Sequence, residues 1–495
     1  MGLTSSVEER IVCPSERAAT IQEFVDIVSP LLKETTQPDL SPSPPTIPNF
    51  DQVLTSMERV VRALVPERPL FASFHDGQVH DPLGGGSYAF ERDVVGPVLR
   101  ALAKDEEPLS TNARDETPVQ TTNPQCSPTH LPTRPIVIHA GLQPNNSPHI
   151  GTIVVFCFAF AFARAMRDRV QTLAAARKST PPLVSVLITF VDTAPVSGQA
   201  VESGGIQYQK SHRDTPDALN LYMGDYKEVL QFLSTRSGIP VNIAFQSDLF
   251  SSPAMPSLIY YMISQRATLG PQLSPKHGTL ALRSACPVPG CGLAEKHGRL
   301  NQYEMTGAEG DAAITFHCPN HGPHTCRLSQ PAEVSRLEAN APTRNLLRSM
   351  THLLDTSAHH IRITGADYAG MYQETFLYRP LAAWSATTGL VAGRTPHILY
   401  APLIVDWSGA KLSKSLYVRE GAYGFLKQLG LNGFCSYAEL REQFGGDGAE
   451  GLRRIWNEVQ HWVANPKKLF RTFSLAYLQR VIMQVDQPKH VVSTT

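Results

Sequence analysis

The sequence has no excess of charge of either sign: 44 Lys+Arg balance 44 Asp+Glu over 495 residues. That excludes a surface coated with cations for sequence-independent phosphate contacts, since such binding grows with the number of phosphates neutralised. A local nucleic-acid groove is still allowed. Long apolar runs are also missing. The longest, Ile153 to Ala163, falls short of the ~20 residues that cross a bilayer, and Arg164, Arg167 and Arg169 follow it at once, so it reads as a buried helix. The opening MGLTSSVEERIVCPSER is charged and has no apolar core of a secretory signal. The expectation is a cytoplasmic protein with neither a membrane nor DNA as partner. Cysteine is sparse at 8 residues, which rules out a small disulfide-stapled scaffold.

Proline is abundant: 39 residues, about 8% against a usual ~5%. It clusters in QPDLSPSPPTIPNF, between apolar helical patterns at 17–33 and 51–65, and in a polar stretch from Lys104 to Thr133. Both read as linkers, because proline lacks the amide proton that helix and sheet interiors need. Between them Gly84-Gly85-Gly86 has no following Lys-Ser/Thr and reads as a plain turn.

From Arg134 onward, short β-branched runs alternate with helical patterns. Strands are expected at Pro135–Ala140, Val184–Val191, Val241–Phe245, His360–Thr364 and His397–Val405. Buried strands separated by helices predict an α/β fold with a doubly wound parallel sheet. The reading divides into an N-terminal helical extension (1–107), a linker (108–133), the first half of the core (134–269), a cysteine-bearing insertion (270–335), the second half of the core (336–420) and a short helical C-terminal part (421–495).

Two motifs carry chemistry. The first strand runs into Gly141-Leu142-Gln143-Pro144-Asn145-Asn146-Ser147-Pro148-His149-Ile150-Gly151-Thr152, a glycine-containing turn before an apolar helix. Such a turn brings backbone and a helix N-terminus to a bound phosphate, and His149 can donate to phosphate oxygens. The second motif, Lys411-Leu412-Ser413-Lys414-Ser415, follows the last strand and sets two lysines three apart, suited to charge building up on a phosphate. Taken alone, His149 also reads as a structural helix-start histidine and the lysines as a solvated loop.

In this order and at this separation the two motifs resemble those of class I aminoacyl-tRNA synthetases. His149-Ile150-Gly151-Thr152 is similar to their HIGH signature, with Thr in the last place, and Lys411 to Ser415 is similar to KMSKS. Gly365-Ala366-Asp367 resembles the fourth-strand segment that holds the adenosine and amino-acid end. Within the class the likeness is to the lysyl type. It implies a Rossmann-like catalytic core, ATP as candidate co-substrate, and nucleotide contacts from Gly141, Pro144, His149, Gly151, Thr152, Gly365, Asp367, Lys411, Ser413 and Lys414.

Cys286-x4-Cys291 and Cys318-x2-His321, with Cys326 nearby, offer thiolates and imidazole in knuckle-like pairs, as structural zinc requires. Cys286, Cys291 and Cys318 are three expected ligands, and Cys326 or His321 is the fourth. Two further sites are candidates for substrate. Asp225 and Glu228 share one face of a helix and can hold a cationic group, or simply be solvated; they partly resemble the Asp-Asp-x-x-Glu signature of fungal arginine-containing cyclodipeptide synthases. Asp192, at the end of the second strand, either faces the crevice or caps a turn.

The 80 residues after Ser415 are too few for the large anticodon-binding part of the lysyl type, although Arg453, Arg454, Lys467, Lys468 and Arg471 form a local basic patch. The leading expectation is therefore an enzyme that joins activated amino acids into a cyclic dipeptide, using the acceptor end of aminoacyl-tRNA. His149, Lys411, Lys414, Asp225 and Glu228 would be its catalytic groups. An ATP-dependent aminoacyl-tRNA ligase is the alternative, and a non-catalytic RNA- or amino-acid-binding regulator a third. The oligomeric state is not legible.

Overall fold

The computed structural model describes residues 93–106, 131–305, 312–388, 396–406, 409–412 and 432–483, with Leu426, Gln428 and Gly430. The helical patterns at 17–33 and 51–65, the turn at Gly84 to Gly86, Cys13, Cys126, and Ser413, Lys414 and Ser415 lie outside these residues.

Five strands form one parallel sheet: β1 (Ile136–Leu142), β2 (Val184–Phe190), β3 (Val241–Phe245), β4 (His359–Gly365) and β5 (His397–Ala401), in the spatial order β5-β4-β1-β2-β3. This is the doubly wound order. The chain moves outward from β1 through β2 to β3, then returns to place β4 on the other side of β1. The order therefore reverses between β1 and β4, and ligands of open α/β sheets bind at the carboxyl ends of strands flanking such a switch.

Helices cover both faces. Successive strand residues point to opposite sides. One set (Ile136, Ile138, Ala140, Val186, Ile188, Ile361, Ile363, Leu399) packs under helix α2 (Ile150–Arg177), joined by α1 (Val95–Lys104) and α3 (Met223–Ser237). The apolar run expected at 153–163 is thus part of a 28-residue helix. By length and composition alone it could cross a membrane, but two thirds of its apolar window (67%) is buried in the fold. The other face lies under α4 (Ala341–Leu354), whose outer side packs with the insertion through Leu346, Leu347, Ile314, Phe316 and Cys326.

C-terminal helices α5 (Tyr437–Gln443), α6 (Gly448–Ala464) and α7 (Leu475–Met483) share one core with the α2 face. A parallel bridge joins Ile404–Val405 to Phe473–Ser474. Ahead of the sheet, Glu106 accepts from the backbone amides of Thr133 and Arg134 at 2.9 Å and from His359 Nε2 at 2.7 Å, tying the end of α1 to the amino ends of β1 and β4.

Candidate active site

A cavity of about 940 Å³ opens over the carboxyl ends of β1, β2, β4 and β5, where the strand order reverses. Gly141, His149, Gly151, Thr152, Gly365, Asp367 and Lys411 all line it.

His149 is the N-cap of α2, and its Nδ1 accepts from the Gly151 amide at 3.0 Å. That bond needs a lone pair on Nδ1, which leaves Nε2 to carry the proton and act as donor. Residue 151 has to be glycine for this contact, since a Cβ there would come within 2.9 Å of the His149 ring. Three tethers hold the preceding loop. Tyr226 donates to the Asn146 carbonyl at 2.9 Å, Asn145 Oδ1 lies 3.0 Å from His212 Nε2, and Ser147 Oγ accepts from the Ala438 amide at 3.2 Å. Pro144 is buried in this loop and does not line the cavity.

On the opposite wall Asp367 is ion-paired with Lys411. Gly365 admits that aspartate, because a Cβ at 365 would collide with its Oδ1. The Gly365–Asp367 segment and the start of the lysine motif are thus in direct contact across 44 residues of chain.

Two expected substrate groups lie elsewhere. Asp192 is buried and spends both oxygens on Ser247, accepting from its amide at 3.0 Å and its hydroxyl at 2.6 Å. It caps the turn after β3 and does not reach the cavity. Asp225 and Glu228 face the C-terminal helices. Arg441 Nη1 sits 2.9 Å from Glu228, Arg441 Nη2 sits 3.9 Å from Asp225, and Tyr437 donates to Glu228 at 2.6 Å. The pair does hold a guanidinium, but that of its own chain, because the α3 face that carries it packs on α5. Arg453 and Arg454 both pair with Glu450, and Lys468 with Glu458, so much of the basic patch is internally neutralised.

In the insertion, Cys286, Cys291, Cys318 and His321 bring one ligand atom each within 4.8 Å of one another. The Cys286 and Cys318 sulfurs lie 3.5 and 3.7 Å from His321 Nδ1, and Cys291 Sγ lies 3.7 Å from Cys318 Sγ. Tetrahedral zinc with bonds near 2.3 Å to sulfur and 2.0 Å to nitrogen needs separations of about 3.8 and 3.5 Å, so the donors fit that ion. Burial raises the Cys318 thiol, but the amides of Asn320 and His321 and the His321 ring outweigh it and bring the group down to about 7, toward the thiolate a metal takes. Cys326 is not a fourth ligand. It points into the apolar core beside Ile314 and Leu328, where burial pushes its thiol up to about 12.

Three arginines that the sequence reading missed also line the cavity: Arg344 and Arg348 of α4 and Arg362 of β4. Behind them sit His139, His352 and His360. The His352 and His360 rings are stacked at 4.2 Å and 13°, so their in-plane lone pairs run parallel and do not converge on an ion. Asp355 accepts from His360 Nε2 at 2.8 Å, and His360 Nδ1 lies 2.9 Å from His139 Nε2, which makes the group a hydrogen-bonded stack. Burial, their mutual proximity and Arg348 keep the His139 and His352 imidazoles well below their usual range, hence neutral.

No protein-family model and no curated protein sequence matches the chain. Among solved structures, part of it is similar to a glutamate-tRNA synthetase from Elizabethkingia anophelis (10% identity, TM-score 0.26, covering 58% of this chain and 54% of that one). A glutamate-tRNA ligase from Elizabethkingia meningosepticum is similar at 11% identity and TM-score 0.25, over 57% and 53%. A structure assigned as an arginyl-tRNA synthetase from Campylobacter jejuni is similar at 10% and 0.28, over 71% and 84%. The chain spans about half the length of the first two.

Proposed function

We propose that the cavity binds ATP and a carboxylic amino-acid substrate and joins them by displacement at the α-phosphate, the first half-reaction of an aminoacyl-tRNA ligase. The observation that carries this reading is His149. It caps α2 through Nδ1 and lines the cavity beside the helix N-terminus, where an anion is favoured. A substrate carboxylate oxygen attacks the α-phosphorus, the bond to the bridging oxygen breaks, and pyrophosphate leaves with the electron pair. His149 and Lys411 offset the charge that grows on the phosphate oxygens, and Lys414 is assigned the same task from its position in the sequence motif. Asp367 orients Lys411 until the nucleotide competes for it. The aminoacyl adenylate then passes its acyl group to a hydroxyl acceptor, for which the acceptor end of tRNA is the candidate.

The cyclic-dipeptide reading rested on the short C-terminal part and on Asp225 and Glu228 as a cation site, and only the second ground bears on chemistry. Arg441 occupies that pair away from the cavity, so the adenylating reading leads.

Amino-acid-dependent exchange of labelled pyrophosphate into ATP tests it. Exchange is expected with wild type and should fall about 10²–10³-fold in His149→Ala, the usual cost of one lost transition-state donor. Absence of exchange with every one of the common amino acids overturns the reading.

A further inference from the structure

The cavity wall formed by α4 and β4 has a charge imbalance that nucleotide binding at α2 does not use. Among the described residues lining the cavity, five are cationic (Lys296, Arg344, Arg348, Arg362 and Lys411) and two are carboxylates (Glu202 and Asp367), of which Asp367 is already paired with Lys411. Arg344 and Arg348 are four apart on α4 and so lie on one side of that helix, facing the strand position of Arg362. Arg344 is buried and the other two are partly buried.

Among the described residues, none of the three has a carboxylate within ion-pairing distance. Their hydrogen-bond partners are neutral. Arg344 Nη1 lies 3.4 Å from the Ala339 carbonyl, Arg348 meets the Gln246 side-chain carbonyl, and Arg362 Nη2 donates to Asn345 Oδ1 at 3.1 Å. Among the described residues, Arg344 Nε and Arg362 Nη1 have no partner at all. Elsewhere the same protein pairs its buried guanidinium. Arg283 lies 3.5 Å from Glu338, which also takes Arg213 at 3.3 Å. Burial lowers all three arginines; repulsion from Arg283 and then Arg362 adds to it for Arg344, brought to about 10, and repulsion from Arg362 and Arg344 adds to it for Arg348. The histidines behind them are neutral and cannot compensate. A buried charge without a counter-charge is destabilising, so this arrangement is explained by an anion that arrives with the substrate.

We infer that Arg344, Arg348 and Arg362 form the side-chain pocket of the amino-acid substrate, and that this substrate is acidic, carrying a second carboxylate beyond the one that reacts. The inference rests on the cavity being the substrate site proposed above. In the reading above, phosphates are served by the α2 N-terminus, His149 and Lys411, none of them part of this arginine group. The reacting carboxylate needs one cationic partner at most, whereas three guanidiniums suit a further carboxylate held by paired N–H donors. A lysine or arginine substrate would meet like charge, so the pocket departs from the lysyl resemblance of the motifs.

Calorimetric titration of the full-length protein tests this with L-glutamate, L-aspartate, L-glutamine, L-lysine and inorganic pyrophosphate, on wild type, Arg344→Met and Arg362→Met. Expected are binding of glutamate or aspartate, at least tenfold weaker binding of the corresponding neutral amino acid, no binding of lysine, and at least tenfold weaker acid binding in each variant. The melting temperature of each variant should stay level or rise, since substitution relieves repulsion; a residue that merely braces the fold would lower it. Wild type binding glutamine as well as glutamate, binding neither acid, or acid binding unchanged in a folded variant overturns the inference. So does arginine-dependent binding of pyrophosphate without acid binding, which would mark a phosphate site. The wild-type acid-to-amide ratio decides the question even where a variant does not fold. Pyrophosphate exchange with no amino acid, alongside arginine-dependent glutamate binding, removes the adenylation reading and leaves the pocket; exchange with lysine alone does the reverse.

Discussion

The two faces of the central sheet differ in kind. On the α2 side the strand residues Ile138, Ala140, Val186, Ile188, Ile361 and Ile363 belong to one apolar cluster with Phe156, Phe158, Phe160 and Phe162, which α2 shares between the sheet and the C-terminal helices. On the α4 side the alternate positions of the same strands mix apolar Val137, Leu187 and Ile398 with polar His139, Ser185, His360 and Arg362, the last group met by Arg344, Arg348 and His352 of the helix. A parallel sheet covered on both sides normally buries apolar residues on both. The α2 face carries stability, whereas the α4 face gives up hydrophobic stabilisation to keep charge beside the cavity.

Truncation on each face puts this contrast to the most direct test. Phe160 is fully buried on the α2 side, so Phe160→Ala should cost about 3–5 kcal/mol in denaturant unfolding through lost transfer energy and the cavity left behind. Arg344→Met on the α4 side should cost nothing or stabilise. Equal losses on the two faces would erase the distinction and make the arginines ordinary packing residues.

The second test concerns what holds the α4 face in place. The insertion packs on the outer side of α4, and its Cys286, Cys291, Cys318 and His321 cluster braces the hairpin strands Ala312–Cys318 and Gly322–Arg327. A metal present at a hundred times its Kd adds about 2.7 kcal/mol, and chelation should remove stability on that order. His321→Ala should lose stoichiometric zinc by elemental analysis, whereas Cys326→Ala should retain it and lose only packing. The opposite pattern would return the fourth ligand to Cys326.

Much of the architecture was legible because strand and helix periodicities alternate cleanly from Arg134 onward, and because a glycine turn leading into an apolar helix is physically distinctive. The arginine wall was not. In APTRNLLRSMTHLL the i, i+4, i+8 positions of Arg344, Arg348 and His352 read as the solvated side of an amphipathic helix, and only the packing shows that this side faces the sheet. A signal existed in the strands. HHIRITG alternates apolar and polar residues, and PIVIHAG carries His139, in segments otherwise placed as fully buried strands, which marks a partly polar face. Spacing likewise left Cys326 and His321 open, since proximity in sequence does not say which side of a hairpin a residue occupies. The Asp225/Glu228 face was read as waiting for a cation, and the cation came from Arg441, more than 200 residues away in sequence, a contact with no local trace.

Arg441 supplies the smallest expected effect and the sharpest check on where function sits. It and Glu228 are partly exposed, at 38% and 46%, so solvent screens the pair and Arg441→Ala should cost only about 0.5 kcal/mol. Because the contact lies on the α2 side, between α3 and α5, and outside the cavity, pyrophosphate exchange should change by less than twofold in Arg441→Ala and in Asp225→Ala/Glu228→Ala. A substrate-binding pair would behave otherwise. Removing Arg441 would free the carboxylates and alter the KM for a cationic amino acid, while removing the carboxylates would abolish turnover. Loss of activity in the double variant with unfolding stability intact would move the cation site into the mechanism and reverse the assignment of the two faces, making the α2 side the one that handles substrate.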